Sequence, residues 1–481
     1  MLDAFHTGDY WISRFIIQRG IGLMYLIAFI VAINQFRPLL GENGLLPVPR
    51  FIERISFNSS PSIFHWHYSD SFFSFIAWIG LGLSMLAVTG VSDNGPLWLS
   101  VVIWSLLWFL YLSIVNVGQI FYGFGWESLL LEAGFYAIFL GPLHFQTPFL
   151  VIIIIRWLVF RLEFGAGLIK MRGDQCWRNL TCLNYHHETQ PLPNPLSIFF
   201  HRLPEFYHKI ETLFNHIVQL GAVWLLFLPQ PFTSIGAGMI ILSQGYLIIS
   251  GNYAWLNWMT LILAFSGISD TYLQHLFALH IPQSLVTPIY FQIIIIGLAV
   301  LVTYLSISPI KNMLSPRQRM NASFNPLHLV NTYGAFGGVT KTRYEIIIEG
   351  TTDDKIDIDT QWQEYKFKGK VDDPKHMPLQ IAPYHLRLDW QMWFAAMSSL
   401  RSNSWLLRLI KKLLKNDPSA IGLIAHNPFT EQSPTYIRAR LFKYEFSNSE
   451  EFSQNSQWWQ REFKQIYMPP KSLDELEGIR F

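Results

Sequence analysis

The chain has 481 residues, of which 51% are hydrophobic and 16% aromatic; only 14% are charged, and the formal net charge is +2. Soluble proteins carry about 25% charged residues, and a water-facing surface for a chain this long needs more charge than is present. A wholly soluble assembly is excluded on that ground, and no basic field marks a nucleic-acid partner. Cys176 and Cys182 are too few for a disulfide framework or, alone, for a zinc site.

A membrane-spanning helix needs about 20 mostly apolar residues. Candidate runs lie at 16–36, 72–89, 97–117, 129–142, 149–159, 213–228, 235–249, 253–265 and 288–307. The first contains Arg19 and lacks the compact apolar stretch and cleavage site of a signal peptide, so it is expected to stay in the membrane. Gly80, Gly82, Gly236 and Gly238 within these runs suit close approach of helices. The segment 161–212 is the longest polar interruption of the membrane region. Beyond Lys311 the long apolar runs end. The stretches 343–349 and 364–368 alternate like strands, 390–396 and 405–415 look like amphipathic helices, and 436–446 reads as a further strand. The predicted fold is a multi-pass α-helical membrane bundle of about nine spans with a C-terminal soluble α+β domain. Its parts are membrane helices over 1–160 and 213–310, a polar proline-rich loop over 161–212, and the soluble domain over 324–481.

Three stretches carry the polar chemistry. In the first, Trp126 and Glu127 precede Glu132, which sits inside an apolar run. A carboxylate at membrane depth costs a few kcal/mol unless it is paired or neutral, so Glu132 should face a partner inside the bundle. In the second, Arg161, Glu163 and Lys170 flank the small pair Gly165 and Gly167, and helical spacing puts Glu163 and Lys170 on one face, two turns apart. Each is a candidate partner for the other or for Glu132. A buried lysine can also serve as a base, which makes Lys170 the catalytic candidate. In the third, Trp177, Arg178, Tyr185, His187, Glu188 and Gln190 crowd ahead of Pro191, Pro193 and Pro195, whose rings hold the chain extended. These six are expected to converge on one polar cluster. His186 and His187 are adjacent and point apart, and His65 and His67 have no acidic partner beside them, so no metal site is expected. No phosphate-binding loop, dinucleotide fingerprint, nucleophile elbow or HExxH motif is present, and no cofactor is expected.

The runs 126–135, 161–174 and 177–197 are similar to the signature blocks of the lipase maturation factor family. So are 388–396, Asn427-Pro428-Phe429, 436–440 and 458–462. The resemblance covers nearly the whole chain. It implies a multi-pass membrane protein that helps secreted lipases fold and assemble, in the endoplasmic reticulum membrane in eukaryotes and in the inner membrane for a bacterial relative. The expected partners are a lipase-like client and membrane lipids. The resemblance also offers Asp389, Trp390, Trp393, Asn427, Arg438 and Trp458 as candidates for a client surface.

A shorter stretch, 164–170 followed by Trp177, is similar to the membrane segment of vitamin K-dependent carboxylases, which would map a catalytic base onto Lys170 alone. An enzyme built around Glu132, Glu163 and Lys170 is thus one alternative; a transporter with those charges along its path is another. With nine spans, basic flanks put the loop and the C-terminal domain on the cytoplasmic side, whereas the family resemblance puts them on the lumenal or periplasmic side. Both arguments place loop and domain on one side.

Overall fold

A computed structural model describes residues 6–7, 9–276, 281–282 and 285–477. The helices of the bundle are α1 (Trp11–Leu40), α2 (Asp70–Thr89), α3 (Leu97–Val117), α4 (Gly125–Ala137) and α5 (Phe149–Arg172). A short helix α6 (Leu183–Thr189) lies in the polar loop. It is followed by α7 (Glu205–His216), prolonged by π and 3₁₀ turns to Phe227, then α8 (Phe232–Ser250), α9 (Leu256–Ala264) and α10 (Ile289–Leu305).

Among the described residues, six of these helical stretches are long and apolar enough to cross a bilayer: α1, α2, α3, α7 with its extension, α8, and α10 with the helix that follows it. The expected count of about nine is not reached. Helix α4 has 13 residues and α9 has nine; α5 has 24 but carries Arg156, Arg161, Glu163, Lys170 and Arg172. Around the outside, Phe75, Trp78, Ile293, Val300 and Tyr304 point away from the bundle, where lipid can cover them.

Buried polar groups tie the helix ends. The first two amide groups of α1, on Trp11 and Ile12, donate to the Asp270 carboxylate at 2.7 and 2.9 Å, a cap supplied from 259 residues away. The glycine pairs divide by face, because residues two apart on a helix point in nearly opposite directions. A methyl group at Gly80 would meet the Phe29 ring and one at Gly236 would meet Leu225, whereas Gly82 and Gly238 have open space beside them. Of these four, Gly80 and Gly236 are the two that permit close helix approach.

The predicted division at 161 cuts through a continuous helix. Helix α5 runs to Arg172 with Arg156, Arg161, Glu163 and Lys170 buried along it, and α7 begins at Glu205, before the predicted boundary at 213.

After α10 the chain forms β1 (Arg343–Thr351), β2 (Gln363–Glu364), α11 (Arg387–Ala396), α12 (Ser404–Leu414), β3 (Tyr436–Phe446) and β4 (Trp459–Lys471). The strands make one antiparallel sheet in the order β2-β1-β3-β4, with Ile348 opposite Ala439 and Phe442 opposite Phe463. Helix α12 is amphipathic and buries Trp405, Leu406, Leu409, Ile410, Leu413 and Leu414 in a core shared with Ile346, Ile348 and Ile437. Strand β4 has no counterpart among the predicted elements. It is an edge strand, exposed over Gln460–Ile466 and closing on two prolines, so it lacks a half-buried apolar alternation. Phe481, the end of the predicted domain, lies outside the described residues.

Candidate functional site

Glu132, the lone carboxylate of an apolar run, is closed in a cage. Its Oε1 meets the Arg161 guanidinium and accepts from the Tyr136 hydroxyl at 2.7 Å. Its Oε2 accepts from the Asn331 amide and side chain, both at 2.9 Å, and from the Tyr333 hydroxyl at 2.7 Å. Both partners of the ion pair are buried, so every acceptor site must be filled by protein for the pair to persist.

Glu127, a turn earlier on α4, belongs to a second buried group. Its Oε1 lies 2.8 Å from Nη1 of Arg387, and its Oε2 accepts from the Tyr111 hydroxyl. Arg387 opens α11, lies over the Tyr122 ring at 3.4 Å and donates to the Phe121 carbonyl at 2.6 Å. The C-terminal domain is thereby anchored in the bundle. Trp126 packs edge-on against Trp390 and His385 beside this anchor. Burial pushes the His385 imidazole down to about 4, which keeps it neutral next to Arg387.

The polar loop leans on the C-terminal domain. Arg343, at the start of β1, donates to the carbonyls of Glu188, Gln190 and Pro191 at 3.1, 2.5 and 3.0 Å. These carbonyls end helix α6, where a cation is favoured. Arg343 in turn pairs with Glu345, which also binds Lys370, and all three are buried. The Glu188 carboxylate accepts from the Phe446 amide at 2.6 Å, and Trp393 Nε1 donates to the Thr189 carbonyl at 3.2 Å. Loop and domain therefore share one end of the bundle. A disulfide joins Cys176 to Cys182 in this loop.

Between α5, the loop, α7, α8 and α11 lies a cavity of about 850 Å³, lined mainly by apolar side chains. Its polar wall is a relay rather than an ion pair. Glu163 accepts from Gln219 Nε2 at 3.0 Å and from Gln244 Nε2 at 2.6 Å. Gln219 then accepts through its Oε1 from Lys170 Nζ at 3.1 Å, and Asn215 accepts from the same ammonium at 2.7 Å. The ammonium sits 4.7 Å from the centre of the Trp177 ring. Gln219 lies in the π-helical turn Ile217–Gly221 that widens α7, a distortion frequent at functional sites. A second polar strip faces the same space. The Tyr253 hydroxyl donates its one proton to Gln190 Oε1 at 2.6 Å, so His186 Nε2, 2.7 Å from that hydroxyl, must be the donor to it. Burial pushes His186 down to about 3, consistent with that neutral tautomer.

The cavity brings together Trp126, Glu163, Lys170, Trp177, His187, Gln190, Trp390 and Trp393 from four separate sequence blocks. The expected single loop cluster does not form. Arg178 is exposed and donates to the Met171 carbonyl at the end of α5; the Tyr185 ring faces Lys341; Glu188 turns to β3. A short helix fans its side chains around its axis, so six residues within 14 positions cannot share one point. The pairing of Glu163 directly with Lys170 does not occur either, because Gln219 stands between them.

Most of the client-surface candidates are structural. Asp389 is buried and accepts from the amides of Gly369 and Lys370; Trp390 is buried against Trp126; Asn427 is buried and bonds Asn416 and Phe429. Arg438 pairs with Glu349 and lies over Trp362, and Trp458 packs edge-on to Phe452. Trp390 and Trp393 also line the cavity, and of these two Trp393 is the half-buried one. Residues that sequence reasoning passed over are Asn215, Gln219, Gln244 and Tyr253. Asn215, Gln219 and Gln244 each interrupt an apolar run with an uncharged amide, which is the available signal, whereas Tyr253 opens the run 253–265 and gives none.

Fold and site together define a multi-pass membrane protein whose C-terminal antiparallel-sheet domain is clamped over an amphipathic cavity. The lipase maturation factor transmembrane domain profile matches residues 12–275 and the lipase maturation factor C-terminal domain profile matches 329–469. The chain is 40% identical to Lipase maturation factor 1 of Mus musculus, over 98% of this chain and 89% of the relative. It is 39% identical to Lipase maturation factor 1 of Homo sapiens, over 98% and 90%. The human Lipase maturation factor 2 is 27% identical over 96% and 83%. The chain belongs to the lipase maturation factor family. No solved structure gives a significant match.

Proposed function

We propose that this chain is a membrane-bound maturation factor for secreted lipases. The observation that carries the reading is relatedness along nearly the whole chain, at 39–40% identity, to proteins named Lipase maturation factor 1. The loop and the C-terminal domain face the lumenal or periplasmic side, where an exported client folds. Two features support that orientation. Disulfides persist in oxidising compartments, and Cys176–Cys182 lies in the loop. Three of the basic residues that vote for the cytoplasm are occupied within the protein: Arg161 by Glu132, Arg172 by the Met313 carbonyl, Arg202 by the Ser447 carbonyl. Arginines held this way exert little pull from an anionic membrane surface, which weakens the charge argument.

The cavity is the functional centre of this reading. Its size suits an apolar segment or an acyl-bearing molecule, and Glu163, Gln219 and Lys170 give one wall polar recognition. The test is expression of the chain, with a secreted lipase, in cells whose own maturation factor has been removed. Recovery of active secreted lipase is expected; undiminished loss with the chain folded and abundant would refute the reading.

A further inference from the structure

His187, on α6 in the loop, meets His208 and Glu211, which lie three residues apart on α7. One ligand atom from each lies within 4.8 Å of the others. Glu211 Oε2 is 3.3 Å from His208 Nδ1 and 3.9 Å from His187 Nε2. Tetrahedral zinc with bonds of 2.0–2.1 Å holds its ligand atoms about 3.3 Å apart. One edge already has that length, and the other two, at 3.9 Å and at most 4.8 Å, are longer than it.

Hydrogen bonding leaves the site incomplete. Both histidines are 2% exposed, and neither ring nitrogen of His187 has a partner. His208 lies between two acceptors, the Glu211 carboxylate at Nδ1 and the His201 carbonyl, 3.4 Å from Nε2. A neutral imidazole has one N–H and cannot donate to both. A metal on Nδ1 resolves this, with Nε2–H donating to the carbonyl as ligating histidines commonly do. It also gives His187 its missing partner.

We propose that His187, His208 and Glu211 bind a divalent zinc ion, with the fourth position turned to the cavity that His187 and Glu211 line. Two imidazoles and a carboxylate favour zinc over magnesium or calcium, which take oxygen ligands. An ion here pins the loop to α7 and offers its open position to an anionic or hydroxyl group of a cavity guest. This inference goes beyond the folding role and does not depend on it.

The test uses the full chain, without a histidine tag, purified in detergent and stripped with a chelator. Titration with zinc chloride is expected to load about one ion per chain. Cobalt is expected to give the intense visible bands of a tetrahedral site. His208→Asn and Glu211→Gln, checked for monodispersity, are expected to weaken zinc binding beyond the roughly 10–100-fold that a second-shell change costs. His65→Asn, remote from the cluster, should leave binding unchanged. If either cluster variant does not fold, the cobalt spectrum of the unaltered chain decides. A wild-type chain that loads no zinc, an octahedral cobalt spectrum, or undiminished binding in a folded cluster variant would each overturn the proposal.

Discussion

Glu132 on α4 and Glu163 on α5 are both buried carboxylates in apolar surroundings, yet their neighbourhoods differ in kind. Glu132 has an arginine, two tyrosine hydroxyls and an asparagine, and no cavity lining. Glu163 has two glutamine amides, a lysine beyond one of them, and about 850 Å³ of space beside it. A cage that fills every acceptor is what rigid architecture requires, because an unmade bond at low dielectric costs more than a made one returns. A relay of amides leaves its members able to re-pair with a guest. The comparison teaches that charge in this bundle is divided between holding the fold and facing a ligand.

Breaking the cage should have the largest effect. Arg161→Ala leaves the Glu132 carboxylate buried and uncompensated, which costs about 3–5 kcal/mol. Folded, monodisperse chain recovered in detergent is expected to fall steeply, and the double change Arg161→Met with Glu132→Gln should restore much of it. Equal damage from the single and double changes would mean that the pair is not the cause.

Cys176→Ser opens the loop beside the cavity. The closed segment is short, and chain-entropy arithmetic gives about 2 kcal/mol. A lower melting temperature with a retained fold is expected; no difference between oxidised and reduced protein would contradict it.

Lys170→Met acts on the relay. It leaves the Gln219 and Asn215 oxygens without their donor at a cost of about 1–3 kcal/mol, reduced where cavity water replaces it. Abundance should therefore drop less than in Arg161→Ala while client maturation drops more. Lys170→Arg keeps the charge but cannot act as a base. It should retain most maturation activity, and its complete inactivity in a folded chain would favour the enzymatic alternative.

A pH dependence is expected in the C-terminal domain, away from both glutamates. Burial pushes Asp372 up to about 7 and Asp389 up to about 6, against about 3.9 in an unfolded chain. The folded domain thus holds more protons between about pH 4 and 7, and its stability is lost as pH rises through that window. Melting temperature should fall from pH 5 to pH 8, less so in Asp372→Asn. A rise over that range would reverse the sign and contradict the assignment.

How far the sequence reveals this division depends on residue type. The apolar runs coincide with helices because a bilayer demands unbroken backbone hydrogen bonding and leaves little choice of element. Glu132 demanded a buried partner on energetic grounds, and Arg161 supplied it. The runs 129–142 and 253–265 suggested spans but fold as short helices, since hydrophobicity alone does not distinguish lipid contact from a protein interior. The relay was hidden because glutamine and asparagine within an apolar run carry no charge signal, and the bridge through Gln219 spans 49 residues of sequence. The tryptophan-rich blocks at 388–396 and 458–462 offer Trp390, Trp393 and Trp458 as client-surface candidates, yet Trp390 is buried and Trp458 is half-buried against Phe452. A large aromatic is equally at home in either setting until its neighbours are known. Arg343 and Arg387 were missed for the same reason as Gln219: their partners come from distant segments.

The most direct measurement is active secreted lipase per unit of folded chain, in cells without their own maturation factor, for the unaltered protein, Lys170→Met and Arg161→Ala. The expected result is recovery with the unaltered chain, a reduced ratio for Lys170→Met, and an unchanged ratio for whatever Arg161→Ala protein remains folded. A Lys170→Met ratio equal to that of the unaltered chain, or no recovery with a folded unaltered chain, would contradict the assignment of the cavity and its relay to lipase maturation.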